Sequence, residues 1–189
     1  MTKINENTIL FGASGMFGDQ VVFRNLNGQT IMARRPRRTN KRTEAQKAHA
    51  LRFKDATIYA KAALTDEDTH KAYAKKAVTF EKYLTAYNIA VADFMNAPVI
   101  EEINLNNYSG QAGERITVYA TDDFEVKEVT IEIRDSNNML VEKGKALLPA
   151  NSLDWEYTTQ SVNTALTGCV VSVSVSDRPG NVTIKNLSL

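Results

Sequence analysis

The rhythm of apolar positions changes twice along the chain. Near the start it has period two: Val21 and Phe23, then the Asn27-Gly28 pair, then Thr30, Ile31 and Ala33. Asn-Gly between two apolar runs is a strong hairpin signal, because a type I′ turn needs positive φ at both central residues. The pattern predicts strands over 20–26 and 29–34. From Thr43 the period becomes helical. Thr43 and Gln46 have capping-box spacing, Phe53, Ala56, Ala60 and Leu64 line one face, and Leu51, Ile58 and Ala62 flank it. A second helix is expected after Thr65, whose hydroxyl can cap it, with Asp66, Glu67 and Asp68 set against the positive end of the helix dipole. Along it Tyr73, Ala77, Phe80, Leu84, Tyr87, Val91 and Phe94 recur at alternating intervals of four and three, a seam for one partner helix. The preceding helix is the nearest partner and would make an antiparallel helical hairpin; an intermolecular coiled coil is the alternative. The run VTFEKY at 78–83 has weak helix propensity and is where the second helix would divide.

Helical structure should stop near Asn96, since Pro98 drives the residue before it to extended geometry. Period two then returns, with strands expected over 100–106, 114–121, 126–135, 139–146, 153–159, 168–176 and 181–188. Ser109-Gly110, Asn137-Asn138 and Pro179-Gly180 supply turn signals between them. Short strands at this density, among them GCVVSVSVSD with strict alternation, read as a β-sandwich. Three modules are expected: a β-hairpin with a basic arm over 1–42, a helical hairpin over 43–97, and the sandwich over 98–189.

Charge follows the same division. Residues 1–97 carry 16 Lys and Arg against 9 Asp and Glu, a net of +7, and residues 98–189 carry 7 against 13, a net of −6. Opposite signs on two halves favour head-to-tail association or contact with a polyanion. The opening residues MTKINENTIL have no basic stretch feeding a long apolar one. No later window approaches the roughly 18–20 apolar residues of a membrane span. A soluble chain with no membrane partner is expected.

Candidate chemistry is sparse. ILFGASGMFGDQ sets Gly12, Gly15 and Gly18 after an apolar run, as in a dinucleotide-binding turn. That turn requires the third glycine to open a helix, with an acidic residue about 20 positions further on. Here a predicted strand follows instead, and the acid's place falls in ARRPRRTNKR. Tyr59 and Tyr73 also lack the lysine four residues later that a short-chain dehydrogenase needs. The glycines therefore read as tight-turn residues. Cys169 is the one cysteine, which excludes an internal disulfide and a thiolate metal site, and His49 and His70 stand too far apart to suggest zinc. The pairs Glu101-Glu102 and Asp122-Asp123 are sequence neighbours and do not predict the opposed carboxylates of a glycosidase. No enzyme activity, cofactor or small-molecule substrate is expected. The run RRPRRTNKR concentrates Arg34, Arg35, Arg37, Arg38, Lys41 and Arg42 around Pro36. Such a run does not fold alone; it reads either as a contact for nucleic acid or an acidic partner surface, or as a solvated linker.

Two resemblances add to this reading. RITVYATDDFEVKEVTIEIRD, followed later by VVSVSVSDRPGNVTI, resembles the bacterial immunoglobulin-like repeat, in which one strand ends in Ala-x-Asp-Asp and another runs into Asp-x-x-Gly-Asn. It implies an immunoglobulin-like β-sandwich over 98–189, without a disulfide because Cys169 has no partner. The front half is similar to an uncharacterised family of short bacterial proteins, many of them phage-associated, through Gly15, Gly18, Gly28, Pro36, Gln46, Arg52 and Phe53. The fold class expected is α+β multi-module: an N-terminal β-hairpin and helical hairpin followed by an immunoglobulin-like sandwich. In such a sandwich the loops after the second and sixth strands emerge together, bringing Asp122, Asp123 and Asp177 close, with Asn181 as a further candidate. Oxygen donors of this kind suit Ca²⁺, whereas the plain alternative is that each aspartate caps its own turn.

The expectation is a non-enzymatic structural protein of a bacteriophage or phage-like particle, capsid-, collar- or tail-associated. It would be made in the bacterial cytoplasm and would partner other particle proteins or copies of itself. The alternative is a nucleic-acid-binding accessory protein that uses the basic arm.

Overall fold

The computed structural model describes residues 2–4, 10, 12–26, 28–36, 42–80 and 84–189, with only the backbone of 2–4. It has a mixed α+β fold with three antiparallel sheets. The chain divides into two compact units, Met1–Gln46 and Lys47–Leu189. The helices, expected as a module of their own, thus belong to the same unit as the C-terminal strands.

The first unit is one sheet of β1 (Thr2–Ile4), β2 (Gly15–Phe17), β3 (Val21–Leu26) and β4 (Gln29–Arg34), in the order β1-β4-β3-β2. The expected hairpin is β3–β4, with Phe23 opposite Met32 and Leu26 opposite Gln29. Gly18, at φ +57°, turns the chain from β2 into β3, so the third glycine of the opening motif leads into a strand. Gly12 N–H donates to the Thr30 hydroxyl at 2.9 Å, and Thr30 is the one buried residue among the described residues of this unit.

The second unit holds α1 (Glu44–Ala63) from Lys47 onward, α2 (Glu67–Val78) and α3 (Ala86–Met95). Thr43 and Gln46 form the expected reciprocal cap of α1, with bonds of 3.1 and 3.2 Å. The cap of α2 differs from expectation. Asp66 accepts from Thr69 N–H at 2.9 Å, while the Thr65 hydroxyl donates back to the Ala62 carbonyl at 2.6 Å. The single seam helix divides as its weak stretch predicted, and Thr85 with Asn88 caps the new helix α3. The two pieces then pack against each other, so the partner of the seam is largely its own second half. The interruption also rotates the buried face of α3 to Ala86, Ile89, Ala90 and Asp93, leaving Tyr87, Val91 and Phe94 half-buried. On α1 only Ala56 and Ala60 are buried, and Leu51, Phe53 and Ile58 are exposed.

The remaining strands are β5 (Val99–Asn104), β6 (Arg115–Thr121), β7 (Val126–Arg134), β8 (Leu140–Lys145), β9 (Asp154–Thr158), β10 (Val170–Asp177) and β11 (Val182–Ser188). Each falls within a few residues of its predicted place. They form two sheets, β11-β10-β7-β8 and β5-β6-β9. Ile116, Val118 and Ala120 of one sheet share a single core with Val129, Ile131, Ile133, Val171, Val173 and Val175 of the other. Burial of each large side chain among these is worth about 1.5–3 kcal/mol. Cys169 lies in that core, where burial pushes its thiol up and leaves a small apolar filler. Strict alternation carries one further residue inward at the end of β10: after Val171, Val173 and Val175 the next inward position is Asp177.

Candidate functional site

Periodicity buries two acids at the same place from opposite sides. Asp177 ends the inward-facing row of β10, and Asp93 ends the buried row Ala86, Ile89, Ala90 on α3, where it is the only charged residue of the helix. A third acid, Asp122, comes from the turn between β6 and β7. Its Oδ2 accepts from the backbone N–H groups of Phe124 at 3.0 Å and Glu125 at 2.9 Å. Asp177 Oδ1 closes the β10–β11 turn in the same way, accepting from Gly180 N–H at 2.8 Å and Asn181 N–H at 2.6 Å. One carboxylate oxygen from each of Asp93, Asp122 and Asp177 lies within 4.8 Å of the others.

Of the residues singled out in the sequence, Asp122 and Asp177 therefore meet, and each also caps its own turn. Asp123 departs from the expected set, because it accepts instead from the Asn96 side chain at 2.5 Å. Asp93 joins unforeseen. The signal that could have found it was a lone acid in the otherwise uncharged run AYNIAVADFM, at helical spacing from Ala86, Ile89 and Ala90.

Asp93 is 0% exposed. Its Oδ2 accepts from the Tyr73 hydroxyl at 2.5 Å, and Tyr73 shares a further hydrogen bond with Tyr59 at 2.9 Å. Asp93 Oδ1 is buried with no partner, and so is Asp122 Oδ1. Burial pushes the Asp93 carboxyl up to about 7; the Tyr73 bond pulls the other way, and the neighbouring charges of Asp122 and Asp177 add to the rise. Burial and the bond to Asp93 together raise the Tyr73 phenol far above its ordinary value, which fixes Tyr73 as the donor. Among the described residues no lysine, arginine or histidine forms an ion pair with any of the three acids.

The neighbouring polar groups bind helices to strands without neutralising that charge. Asn181 Nδ2 lies 3.3, 3.2 and 3.2 Å from the carbonyls of Asp93, Phe94 and Asn96 at the end of α3, and 2.6 Å from Asp177 Oδ2. Its Oδ1 accepts from Arg52 of α1 at 3.4 Å. Arg178 pairs with Glu125 at 2.9 Å and reaches Thr69 of α2 at 3.4 Å. Its guanidinium lies 5.4 Å from the Phe124 ring centre and 6.0 Å from that of Tyr73, while those two rings stand 4.4 Å apart. The motifs Ala-Thr-Asp-Asp and Asp-Arg-Pro-Gly-Asn thus form the seat on which the helices rest.

Compared with protein-family models, curated proteins and solved structures, the chain matches none. Its chemistry is read from the residues alone. Part of the basic run falls within the described residues. Arg34 and Arg42 are exposed and Arg35 is ion-paired to Asp19, while Arg37, Arg38 and Lys41 lie outside the described residues. His49 and His70 are exposed on α1 and α2.

Proposed function

We propose that the chain is a non-enzymatic structural protein of a bacteriophage or phage-like particle, made in the bacterial cytoplasm and carried in the virion. Its N-terminal unit anchors to a neighbouring subunit, and its C-terminal β layers, of immunoglobulin-like type, serve for docking or decoration. The exposed apolar side chains of the N-terminal sheet are the observation that carries this. A sheet buries one face against a second layer, yet here Met16, Phe17 and Leu26 are 59%, 75% and 60% exposed. Val21, Val22, Phe23, Ile31 and Met32 are only partly covered, and β2 stands at the sheet edge. Edge strands with exposed apolar side chains are templates for another chain. The opposite net charges of the two halves, +7 and −6, favour ordered contacts between copies or with other particle proteins.

Light scattering on the full chain, a Phe17→Asp variant and a chain lacking residues 1–42, at low and high salt, tests this. The full chain is expected to assemble and the two variants to stay monomeric. Salt-insensitive monomers in all three would leave only a heterologous subunit, and normal incorporation of the deletion variant into particles would remove that too.

A further inference from the structure

We propose that Asp93, Asp122 and Asp177 form a Ca²⁺ site that pins α3 to the two turns at the end of the β layers. Three carboxylates reach this point from three separate elements, with donor oxygens within 4.8 Å of one another. Oxygens so spaced can share one ion whose bonds are about 2.3–2.6 Å long. The cluster is more than a group of neighbouring acids. Asp93 is wholly buried, and its Oδ1 and Asp122 Oδ1 are buried with no hydrogen-bond donor among the described residues. Leaving buried carboxylate oxygens unpaired is costly, so the cluster calls for a bound cation or a proton to neutralise it.

Among the described residues no basic side chain pairs with these acids. Arg178 is directed to Glu125, and Arg52 reaches only the Asn181 amide. The carbonyl end of α3, with the oxygens of Asp93, Phe94 and Asn96 gathered around Asn181, adds negative potential beside the three acids. Among the described residues the group is made of carboxylates alone, with no histidine or cysteine in it, which selects against zinc and copper. Ca²⁺ tolerates the irregular geometry set by a helix and two turns, whereas Mg²⁺ demands a near-ideal octahedron and keeps its waters. A proton shared between Asp93 and Asp122 is the competing way to neutralise the pair.

The test is calorimetric titration of CaCl₂ into the chelator-stripped full chain, with thermal unfolding followed in parallel and Tb³⁺ luminescence as an independent readout. Tyr73 touches Asp93, so Tb³⁺ at the site should be sensitised by tyrosine excitation and displaced by Ca²⁺. Expected are one saturable Ca²⁺ equivalent and a rise in the unfolding midpoint. Affinity should fall more than about tenfold in Asp93→Asn and Asp122→Asn, since loss of even a group that only supports a ligand costs about 10–100-fold. Asp123→Asn is expected to bind as the parent does, because Asp123 serves Asn96 instead. Absence of heat, midpoint shift and Tb³⁺ emission in the folded parent at millimolar metal would overturn the site and leave the shared proton. Equal responses to Mg²⁺ and Ca²⁺ would overturn the assignment of the ion, and a loss in Asp123→Asn equal to that in Asp93→Asn would overturn the ligand set.

Discussion

Replacing Asn181 by alanine removes one amide group that serves four oxygens. Its Nδ2 lies 2.6–3.3 Å from Asp177 Oδ2 and from three carbonyls at the end of α3. An amide carries two hydrogens, so two good bonds are lost at a time even though four acceptors share them. Each buried acceptor left unpaired costs about 1–3 kcal/mol, and Asn181 is itself only half-buried, which favours the lower half of that range. The expected loss is therefore about 2–4 kcal/mol, large against the 5–15 kcal/mol of a typical domain. Asn181→Asp should cost more, because it turns the donor into a further acceptor beside three acids. Urea unfolding followed by far-ultraviolet circular dichroism and by fluorescence of Trp155, the one tryptophan, located on β9, separates helices from strands. The parent is expected to show coincident transitions, since helices and C-terminal strands form one unit. In Asn181→Ala the helical signal should melt before that of Trp155. A change within about 0.5 kcal/mol, with the two signals still coincident, would refute the role given to Asn181.

Other substitutions test separate parts of the structure. A Cβ added at Gly144 would stand 2.6 Å from Tyr157 Cε2 and 2.9 Å from its hydroxyl, so Gly144→Ala should cost about 1–3 kcal/mol in urea unfolding. Pairing it with Tyr157→Leu should recover part of that loss, and strict additivity would contradict the contact. Asp66→Ala should cost about 1 kcal/mol by loss of the α2 cap, whereas Thr65→Ala should leave stability nearly unchanged; the reverse order would restore the cap to Thr65. Glu114 is held below its ordinary value by the Ser109 hydroxyl and the N–H groups of Ser109 and Gln111. A lowered folded-state value means its contribution is present above the ordinary carboxylate range and is lost as pH falls through the folded value. Glu114→Gln should therefore flatten the acid limb of the stability profile, and an unchanged limb would disprove the linkage.

The strands from β3 onward were legible because each carries its own local signal, whereas β1 and β2, three residues each, were not foreseen. Val171, Val173 and Val175 alternate without interruption, and Gly110, Asn138 and Gly180 adopt the positive φ that their turn dipeptides imply. The helical seam was half legible. Its weak stretch was visible, but the change of phase beyond it was not, because the count from Tyr73 to Phe94 runs through residues that are not helical. The acid cluster was least legible. Asp122 and Asp177 announce themselves in turn motifs, yet what joins them to Asp93 is the docking of a helix, and nothing within any one segment records that contact. Asp123 illustrates the same limit from the other side, since only the position of Asn96 decides that it faces away.

Asn181 stands 88 residues beyond Asp93 in the chain. During synthesis the three helices emerge well before their polar anchor. Until the β10–β11 turn exists, the lone acid of α3 has no seat and must keep its water, so the helical segment waits for the whole intervening stretch without its final neighbours. Contacts of such long sequence separation are paid for by closing the whole intervening loop before they contribute. The order of the chain thus makes the helix–sheet joint a late event, and chains halted before Asn181 should expose the faces of Tyr73 and Asp93 that the finished protein hides.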